Sequence, residues 1–441
     1  MAVMLWTPHT DSSPSSRLRM TPLIAVTAAA QLWLAHRYFG FLTGDDVEVL
    51  GEAFRRARGF PYKPWEIRNL LVPDALVAPF VWLASGLGFD EPGQMIFAAT
   101  LPFIALTAVT VWLVYRFGGL LPALLFAAHW IPLGFGSTTY PRTLAACCVV
   151  AAALVVERWP FAAGLLAGLA FADRFSEIVF VIPLLIVARR RWPVLAGTIV
   201  SITIAGAYDW LTYGAPFSSF VDFARLTVVE PDFASRVKYQ APWWYLANIT
   251  RWLAPTLLPA LWLARRHRLW WFVLIPLVAY SAVRHKELRY LQALIPFVMI
   301  IAGAGFVVLW RRNRAVAIAL LALSIVWDLS GIRYFARKSQ PAVMAARDLG
   351  ADPRVHTVAL SQMWAFGDRL YLGPGMEVRD IGTPPRDLNA AHDSADAAAL
   401  YETDLDDPAV RAALARWRFA PVRIYRDGLA RAVVLFRPAR R

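Results

Sequence analysis

Apolar runs of about twenty residues recur along most of the sequence, and they limit its folding more than any other feature. A helix needs roughly 20 apolar residues to cross a hydrocarbon core of about 30 Å. Only 17% of the residues are charged, whereas soluble domains carry about 25%. The sequence therefore predicts a mainly α-helical, polytopic membrane protein and excludes a soluble globular fold.

About eleven of these runs are predicted to cross the bilayer. They are Thr21–Phe39, Met95–Tyr115, Leu120–Phe135, Thr143–Val156, Ala162–Ala172, Ile178–Ala188, Pro193–Leu211, Tyr245–Ala264, Leu269–Val283, Leu288–Trp310 and Ala315–Tyr334. The apolar run Val72–Gly88 is placed as a juxtamembrane helix, because the arginine clusters between the other runs then all face the cytoplasm. That is the side on which the positive-inside rule expects them.

Charge divides the chain into three predicted parts. Residues 1–20 form a cytoplasmic segment, residues 21–337 a transmembrane domain with a first outer loop at 40–94, and residues 338–441 an extracytoplasmic α/β domain. Of the formal net charge of +14, only +2 lies in 338–441, and the remainder forms short arginine clusters between apolar runs. This distribution indicates the lipid bilayer as a partner and excludes nucleic acid. In the last part the predicted elements are strands His356–Leu360, Val422–Tyr425 and Ala432–Phe436 and a helix near Pro408–Trp417.

The segment GDDVEVLGEAFRRARGFPYKPWEIRN carries two adjacent carboxylates, Asp45 and Asp46, directly after the first apolar run. Ionisable groups near hydrocarbon are costly and usually have a function, although a solvated pair flanking a helix is the alternative. Sugar transfer from a phosphate-linked donor needs one base to deprotonate the acceptor, since phosphate leaves as a stable anion. Glycoside hydrolysis needs two carboxyl groups.

Basic side chains cluster on the predicted outer side, which the positive-inside rule disfavours. His285, Lys286 and Arg289 lie in the segment HKELR, and Arg142 follows the turn STTYP. Cations of this kind stabilise the charge that develops on a phosphate leaving group. The alternative is a polar turn held by a surface Lys–Glu pair, which contributes about 0–1 kcal/mol.

Several short segments, in order along residues 40–300, resemble the dolichyl-phosphate-mannose-dependent mannosyltransferases of the GPI-anchor and Alg types. HKELRYL is similar to a His-Lys-Glu-x-Arg-Phe signature of that family, and TYPRTL is similar to its Thr-Arg-Thr segment. DWLTYG and APWWYL resemble further family elements. The chain departs from the family pattern at three positions. Thr43 and Gly44 replace its His-Pro pair, and Ala241 replaces the His before Pro242.

The resemblance implies a C-type glycosyltransferase fold with catalysis on the extracytoplasmic face and a polyprenyl-phosphate sugar as donor. It implies Asp45 as the catalytic base and Asp46 as the following acid, with Asp46 the competing base. His285, Lys286, Arg289 and Arg142 are expected to bind the donor phosphate. No cofactor and no metal are expected. Residues expected to bind substrate or to support the site are Trp65, Glu66, Arg68, Asp209 and Trp243.

Together these features predict an inverting glycosyltransferase, a mannosyltransferase, that transfers a sugar to a glycan, glycolipid or protein acceptor. The alternative class is a transporter or flippase of lipid-linked sugars. Transporters usually show repeated halves and polar groups at mid-membrane, whereas here the ionisable groups gather at one face. An inactive family scaffold is a third possibility. Alanine- and arginine-rich usage indicates a bacterial plasma membrane.

Overall fold

The computed structural model describes residues 14–37, 39, 43–229, 239–333, 340–361, 368–382, 395–427 and 431–439. The predicted domain boundary at Lys338 lies outside these residues, as does most of the predicted N-terminal segment. The described residues fall into two compact units. The first contains Met1–Trp33, Pro64–Leu76 and Leu101–Gly331, and the second contains Leu34–Lys63, Val77–Thr100 and Ile332–Arg441.

The fold is mainly α-helical, as predicted, and a small sheet lies near the C-terminus. The helices are α1 (Pro14–Arg37), α2 (Gly44–Arg58), α3 (Ala78–Gly86), α4 (Pro92–Gly118), α5 (Leu120–Ala128), α6 (Trp130–Phe135), α7 (Arg142–Val155), α8 (Pro160–Asp173), α9 (Val181–Val187), α10 (Arg191–Tyr213), α11 (Ser218–Ala224), α12 (Trp244–Ala247), α13 (Ile249–Trp252), α14 (Leu258–Leu263), α15 (Trp271–Ala282), α16 (Ile295–Arg312), α17 (Arg314–Gly331), α18 (Gln340–Gly350), α19 (Asp368–Leu372) and α20 (Pro408–Arg416).

Within the described residues, four helices are long and apolar enough to cross a membrane, namely α4, α10, α16 and α17. The predicted run Thr21–Phe39 lies largely in the 24-residue α1, and the other predicted runs form shorter or interrupted helices. The run Leu120–Phe135, for example, breaks at His129, whose ring Nδ1 accepts a hydrogen bond from the backbone N–H of Ile131 and starts α6. Because length and composition identify only four spans, the number eleven stays a prediction.

Contacts within the first unit fix the direction of its helices. α8 and α10 run parallel, since Gly164 packs on Val194 and Gly168 on Thr198. α7 runs antiparallel to α8, because the Ala145 N–H donates to Asp173 Oδ2 at 3.2 Å. These directions bring segments 136–142, 173–177, 239–245 and 283–290 to one end of the first unit, called here the loop end. The connections 157–159, 188–191, 264–268 and 311–314 lie at the opposite end, called the arginine end.

Small residues allow α8 and α10 to approach each other closely. A Cβ atom on Gly164 would lie 2.0 Å from the Val194 carbonyl oxygen, and one on Gly197 would lie 2.1 Å from the Phe161 oxygen. At this distance the Thr198 hydroxyl donates to the Gly164 carbonyl at 3.2 Å. Close backbone approach and interhelical hydrogen bonds are the usual means of helix association in membranes. They explain the Gly-x-x-x-Gly spacing of Gly164 and Gly168.

The second unit contains a five-stranded sheet. Its strands are β1 (Thr357–Leu360), β2 (Glu377–Asp380), β3 (Ala397–Tyr401), β4 (Phe419–Tyr425) and β5 (Val433–Pro438). Their order across the sheet is β2-β1-β3-β5-β4. β1 pairs in parallel with β2 and β3, and β5 pairs antiparallel with β3 and β4. α20 packs on it through Val410 and Leu414. The predicted strands near 356–360, 422–425 and 432–436 and the helix near 408–417 are confirmed, and the chain adds β2 and β3.

The second unit also includes the start of the predicted first outer loop and the segment before α4. Arg347 on α18 forms an ion pair with Glu91 at 2.6 Å, and Arg37 at the end of α1 forms one with Asp427 at 2.9 Å. The run Val72–Gly88, expected to be a juxtamembrane helix, is helical from Pro73 to Gly86. Compact packing therefore joins segments that are far apart in the sequence.

Candidate active site

Asp45 and Asp46 lie in the first turn of α2, in the second unit. Both are buried, with exposed fractions of 9% and 0%. Thr43 is the residue that caps this helix, and its backbone N–H donates to Asp46 Oδ2 at 2.8 Å. This reciprocal arrangement is a capping box, which satisfies amide groups at the start of a helix. The Asp46 carboxylate is therefore engaged in holding the helix start.

The same helix contains two carboxylates that sequence analysis did not single out. Glu52 is fully buried and binds Arg55 through two hydrogen bonds of 2.8 and 2.6 Å. Glu48 accepts a 2.6 Å hydrogen bond from the Tyr62 hydroxyl, and the Tyr62 ring packs on Gly51. The spacing of Glu52 and Arg55, three residues apart, is the signal that predicts such a helical pair. These contacts fix α2 and, with it, the position of Asp45.

Asp209, near the end of α10, organises a second polar cluster, in the first unit. Its Oδ1 accepts from the Asn69 side-chain amide at 2.7 Å, and its Oδ2 accepts from the Ser219 hydroxyl at 2.6 Å. The Tyr213 hydroxyl donates to the Arg68 carbonyl at 2.8 Å. Asp209 is 2% exposed. The carboxylate thus connects the segment that carries Arg68 to the end of α10.

Three of the predicted support residues present their side chains more openly. Trp65 is 38% exposed and lies under the Arg68 guanidinium, with 5.5 Å between the guanidinium carbon and the ring centroid. Glu66 is also exposed. Trp243 is 66% exposed at the start of α12. Exposed indoles of this kind are available for membrane-interface contact or for stacking on a sugar.

Three of the predicted phosphate ligands lie in the loop 283–290, at the loop end of the first unit. Two of them contact the carboxylate of Glu287, and the third is Lys286, its neighbour in sequence. His285 Nε2 lies 3.3 Å from Glu287 Oε1, and Arg289 forms an ion pair with the same carboxylate. The Arg289 guanidinium also lies over the Tyr140 ring, 5.4 Å from its centroid. Glu287 therefore sits between the imidazole of His285 and the guanidinium of Arg289.

Lys286 points away from that carboxylate and into the protein. Its ammonium donates to the Gln240 carbonyl at 3.0 Å and to the Val283 carbonyl, and only 3% of the residue is exposed. Burial lowers the pKa of Lys286. The Tyr245 hydroxyl donates to the Glu287 carbonyl at 3.2 Å. Lys286 and Tyr245 together attach the loop 283–290 to the segment 239–245.

Arg142 is held by a buried network at the start of α7. Its guanidinium forms an ion pair with Glu177 and donates to the Ser176 hydroxyl at 3.0 Å. The Tyr280 hydroxyl donates to the other Glu177 oxygen at 2.6 Å. The guanidinium carbon also lies 4.5 Å from the centroid of the Tyr290 ring. Sequence analysis did not single out Glu177, although a buried arginine requires a carboxylate partner of this kind.

The structure thus brings Arg142, His285, Lys286 and Arg289 together at the loop end of the first unit. Asp209 and Arg68 form a separate cluster in that unit, and the two aspartates belong to the second unit. Over the described ranges, no group of three or more His, Cys, Asp or Glu side chains is placed to hold a metal ion.

Comparisons with known proteins agree with this arrangement of helices. Two similar solved structures are of ArnT from Cupriavidus metallidurans, one bound to undecaprenyl phosphate and one in the apo state. The first has a TM-score of 0.60 at 13% identity and the second a TM-score of 0.57 at 15% identity. Each alignment covers 96% of this chain and 98% of the other. A search of curated proteins finds no significant match.

Both ArnT structures have the C-type glycosyltransferase fold, so the alignment identifies this fold for the chain. The family model of the Alg9-like mannosyltransferases matches residues 103–351. The matched region is more than half of the chain and contains Arg142, Asp209 and the segment HKELR. Together with the four apolar helices, it identifies a multi-pass membrane glycosyltransferase. The chain therefore belongs to the Alg9-like mannosyltransferase family.

Proposed function

We propose that this protein transfers mannose from a polyprenyl-phosphate donor to an acceptor hydroxyl on the extracytoplasmic face of the membrane. The observation that carries the proposal is the cluster of His285, Lys286 and Arg289 in the loop 283–290, within the region matched by the mannosyltransferase family. A structural relative, ArnT, binds undecaprenyl phosphate, which supports a lipid phosphate as the donor. The family name supports mannose as the sugar.

The proposed reaction is a direct displacement at the C1 carbon of the donor sugar. The acceptor oxygen forms the new bond to C1 while the bond from C1 to the phosphate oxygen breaks, so the anomeric carbon inverts. The phosphate departs as an anion and needs no proton, whereas the acceptor hydroxyl loses its proton to a carboxylate. Asp45 is the proposed base, because the family resemblance puts it at the position of the catalytic aspartate, and Asp46 contributes to the helix start through Thr43.

His285 and Arg289 are the proposed ligands of the donor phosphate. Both contact Glu287, whose side chain is 35% exposed, and a phosphate binds the same imidazole and guanidinium groups in place of that carboxylate. Charge-assisted bonds from arginine to phosphate are shorter and about twice as strong as neutral ones. Lys286 and Arg142 act beside them, Lys286 by holding the loop and Arg142 by contacting Tyr290.

The test uses the purified full-length protein in proteoliposomes with polyprenyl-phosphate-[¹⁴C]mannose and an extract of neutral glycolipids and glycans as acceptors. Labelled mannose is expected to enter an acceptor fraction, with an anomeric linkage opposite to that of the donor. If only glucose- or arabinose-linked donors are consumed, mannose is the wrong sugar. If no polyprenyl-phosphate sugar is consumed, the proposed function is wrong.

A matched pair of variants tests the donor site. Arg289→Gln removes a charged bond to phosphate, whose loss costs about 1.5–3 kcal/mol, so donor affinity is expected to fall at least tenfold. Arg284→Gln is the control, because Arg284 is exposed on the same loop and lies over the Tyr239 ring. Equal donor affinity in the two variants would contradict the assignment of Arg289.

A further inference from the structure

The arginine end of the first unit carries an unusual excess of one charge. Its connections 157–159, 188–191, 264–268 and 311–314 contain ten arginines and one acid, Glu157. All ten arginine side chains are exposed. Glu157 lies 3.5 Å from Arg189. Ten like charges on one end repel one another at low ionic strength, so this surface favours anionic partners.

Exposed indoles accompany these guanidinium groups. Arg158 lies over the Trp159 ring at 5.7 Å, Arg265 over Trp262 at 5.0 Å, and Arg314 over Trp310 at 5.9 Å, each measured to the ring centroid. Trp159 is 59% exposed, Trp262 69% and Trp310 46%. Trp192 and Trp271, at the same end, are 81% and 47% exposed. The surface therefore combines a positive charge with five exposed indoles.

This combination has a specific chemical match. Indole side chains partition to the level of lipid headgroups, with one edge in apolar and one in polar surroundings. A guanidinium stacked on an indole still presents its planar N–H groups outward, and these match phosphate oxygens in a bidentate manner. A soluble phosphate compound would pair with the guanidinium groups alone and would leave the five indoles in water.

We infer that the arginine end is a docking surface for the headgroups of anionic phospholipids, such as phosphatidylglycerol, in the leaflet next to it. The guanidinium groups bind the headgroup phosphates, and the indoles fix the depth of the protein in that leaflet. Each basic residue close to an anionic membrane surface contributes about 1 kcal/mol. The inference does not depend on the identity of the sugar or of the acceptor, because it concerns only the arginine end, which lies opposite the loop end.

The test reconstitutes the full-length protein in nanodiscs with equal amounts of dioleoyl-phosphatidylglycerol and dioleoyl-phosphatidylcholine. Native mass spectrometry then measures the ratio of the two lipids retained by the protein. The wild type is expected to enrich phosphatidylglycerol severalfold. The triple variant Arg189→Gln, Arg190→Gln, Arg266→Gln is expected to lose most of this enrichment, because each basic residue near an anionic surface contributes about 1 kcal/mol.

Two controls make the result decisive. The triple variant Arg411→Gln, Arg416→Gln, Arg418→Gln removes the same charge from the C-terminal sheet domain and should keep the wild-type ratio. For the wild type itself, raising NaCl from 0.05 to 0.5 M should reduce the enrichment, because salt screens these contacts over about 3–10 Å. Equal enrichment in both triple variants, or a wild-type ratio that does not respond to salt, would overturn the inference. Mannose transfer measured in parallel reports on the proposed function separately.

Discussion

At the scale of single residues, two adjacent carboxylates receive different environments from one helix turn. Asp46 occupies the third position of α2, where its oxygen accepts from the Thr43 backbone N–H. Asp45 occupies the second position, and its side chain projects about 100° away around the helix axis. In sequence the family resemblance favours Asp45 as the base, with Asp46 as the competing candidate. The capping box adds a structural contact for Asp46, and Asp45 stays the proposed base.

The two aspartates can be separated by paired substitutions. Asp45→Asn keeps the shape and removes the proton acceptor, so turnover is expected to fall at least ~100-fold while donor binding persists. Asp46→Asn keeps an oxygen that can accept from Thr43, and turnover should change only a few-fold. Initial rates and donor affinity measured on one preparation of each variant check this. Near wild-type turnover of Asp45→Asn would exclude it as the base.

The network around Arg142 gives a second prediction at this scale. Glu177 is fully buried, so Glu177→Gln leaves the Arg142 charge without its counter-ion. Breaking a buried pair in this way costs about 3–5 kcal/mol, and the thermal midpoint in detergent should drop by several degrees. The double variant Arg142→Met, Glu177→Leu should recover much of the loss, because neither charge is then buried. An unchanged midpoint for Glu177→Gln would show that the pair does not stabilise the fold.

At the scale of elements, short polar contacts position whole segments. Lys286 attaches the loop 283–290 to the segment 239–245, and Asp209 attaches the segment carrying Arg68 to α10. In the sheet, Asp396 Oδ2 accepts from the backbone N–H groups of His356 and Thr357, at 2.8 and 2.9 Å. Asp396 precedes β3, His356 directly precedes β1, and Thr357 is the first residue of β1. One carboxylate therefore fixes the start of two parallel strands.

This contact predicts a pH dependence. Burial opposes ionisation of Asp396, but the two N–H bonds outweigh it and lower its pKa. Its stabilisation is therefore complete above the unfolded value of about 3.9 and is lost as the pH falls through the lower folded value. Thermal unfolding of wild type and Asp396→Asn should differ most at pH 6, and the difference should shrink as the pH is lowered below about 4. A difference that grows toward acid pH would contradict the direction of the shift.

At the scale of the whole molecule, the proposed chemistry depends on which side of the membrane the donor site faces. The helix directions place the four arginine-rich connections at one end of the first unit and the loop 283–290 at the other. With the arginine end facing the cytoplasm, as the positive-inside rule predicts, the loop end faces outward. The donor site proposed at His285 and Arg289 is then extracytoplasmic.

Cysteine labelling tests this orientation directly. The native Cys147 and Cys148 are buried and are first replaced by Ala. A membrane-impermeant maleimide added to intact cells should then modify Ala415→Cys, which is exposed in the C-terminal sheet domain, and spare Asn313→Cys, which is exposed at the arginine end. Permeabilised cells, in which both sites should react, provide the control. The opposite labelling pattern would place the proposed site in the cytoplasm.

Much of this protein can be predicted from its sequence, because the interactions concerned are local or compositional. Apolar run length predicts a membrane protein, since an unpaired backbone is too costly in hydrocarbon for other folds. The order of short motifs indicates the mannosyltransferase family, and apolar segments near the C-terminus predict the strands β1, β4 and β5. The segment HKELR was predicted to bind phosphate from its charge and expected sidedness, and this role stays a prediction.

Tertiary structure decided the contacts of each charged group. Nothing in the sequence shows that Asp46 caps the start of a helix or that Arg142 pairs with Glu177. Nor does it show that Lys286 bonds to two backbone carbonyls while Arg289 contacts Glu287. Residues 35 positions apart, as Arg142 and Glu177 are, meet only because helix packing brings their ends together. The free energy of a charged group depends on burial and on its neighbours within a few ångströms, and those neighbours come from other segments of the chain.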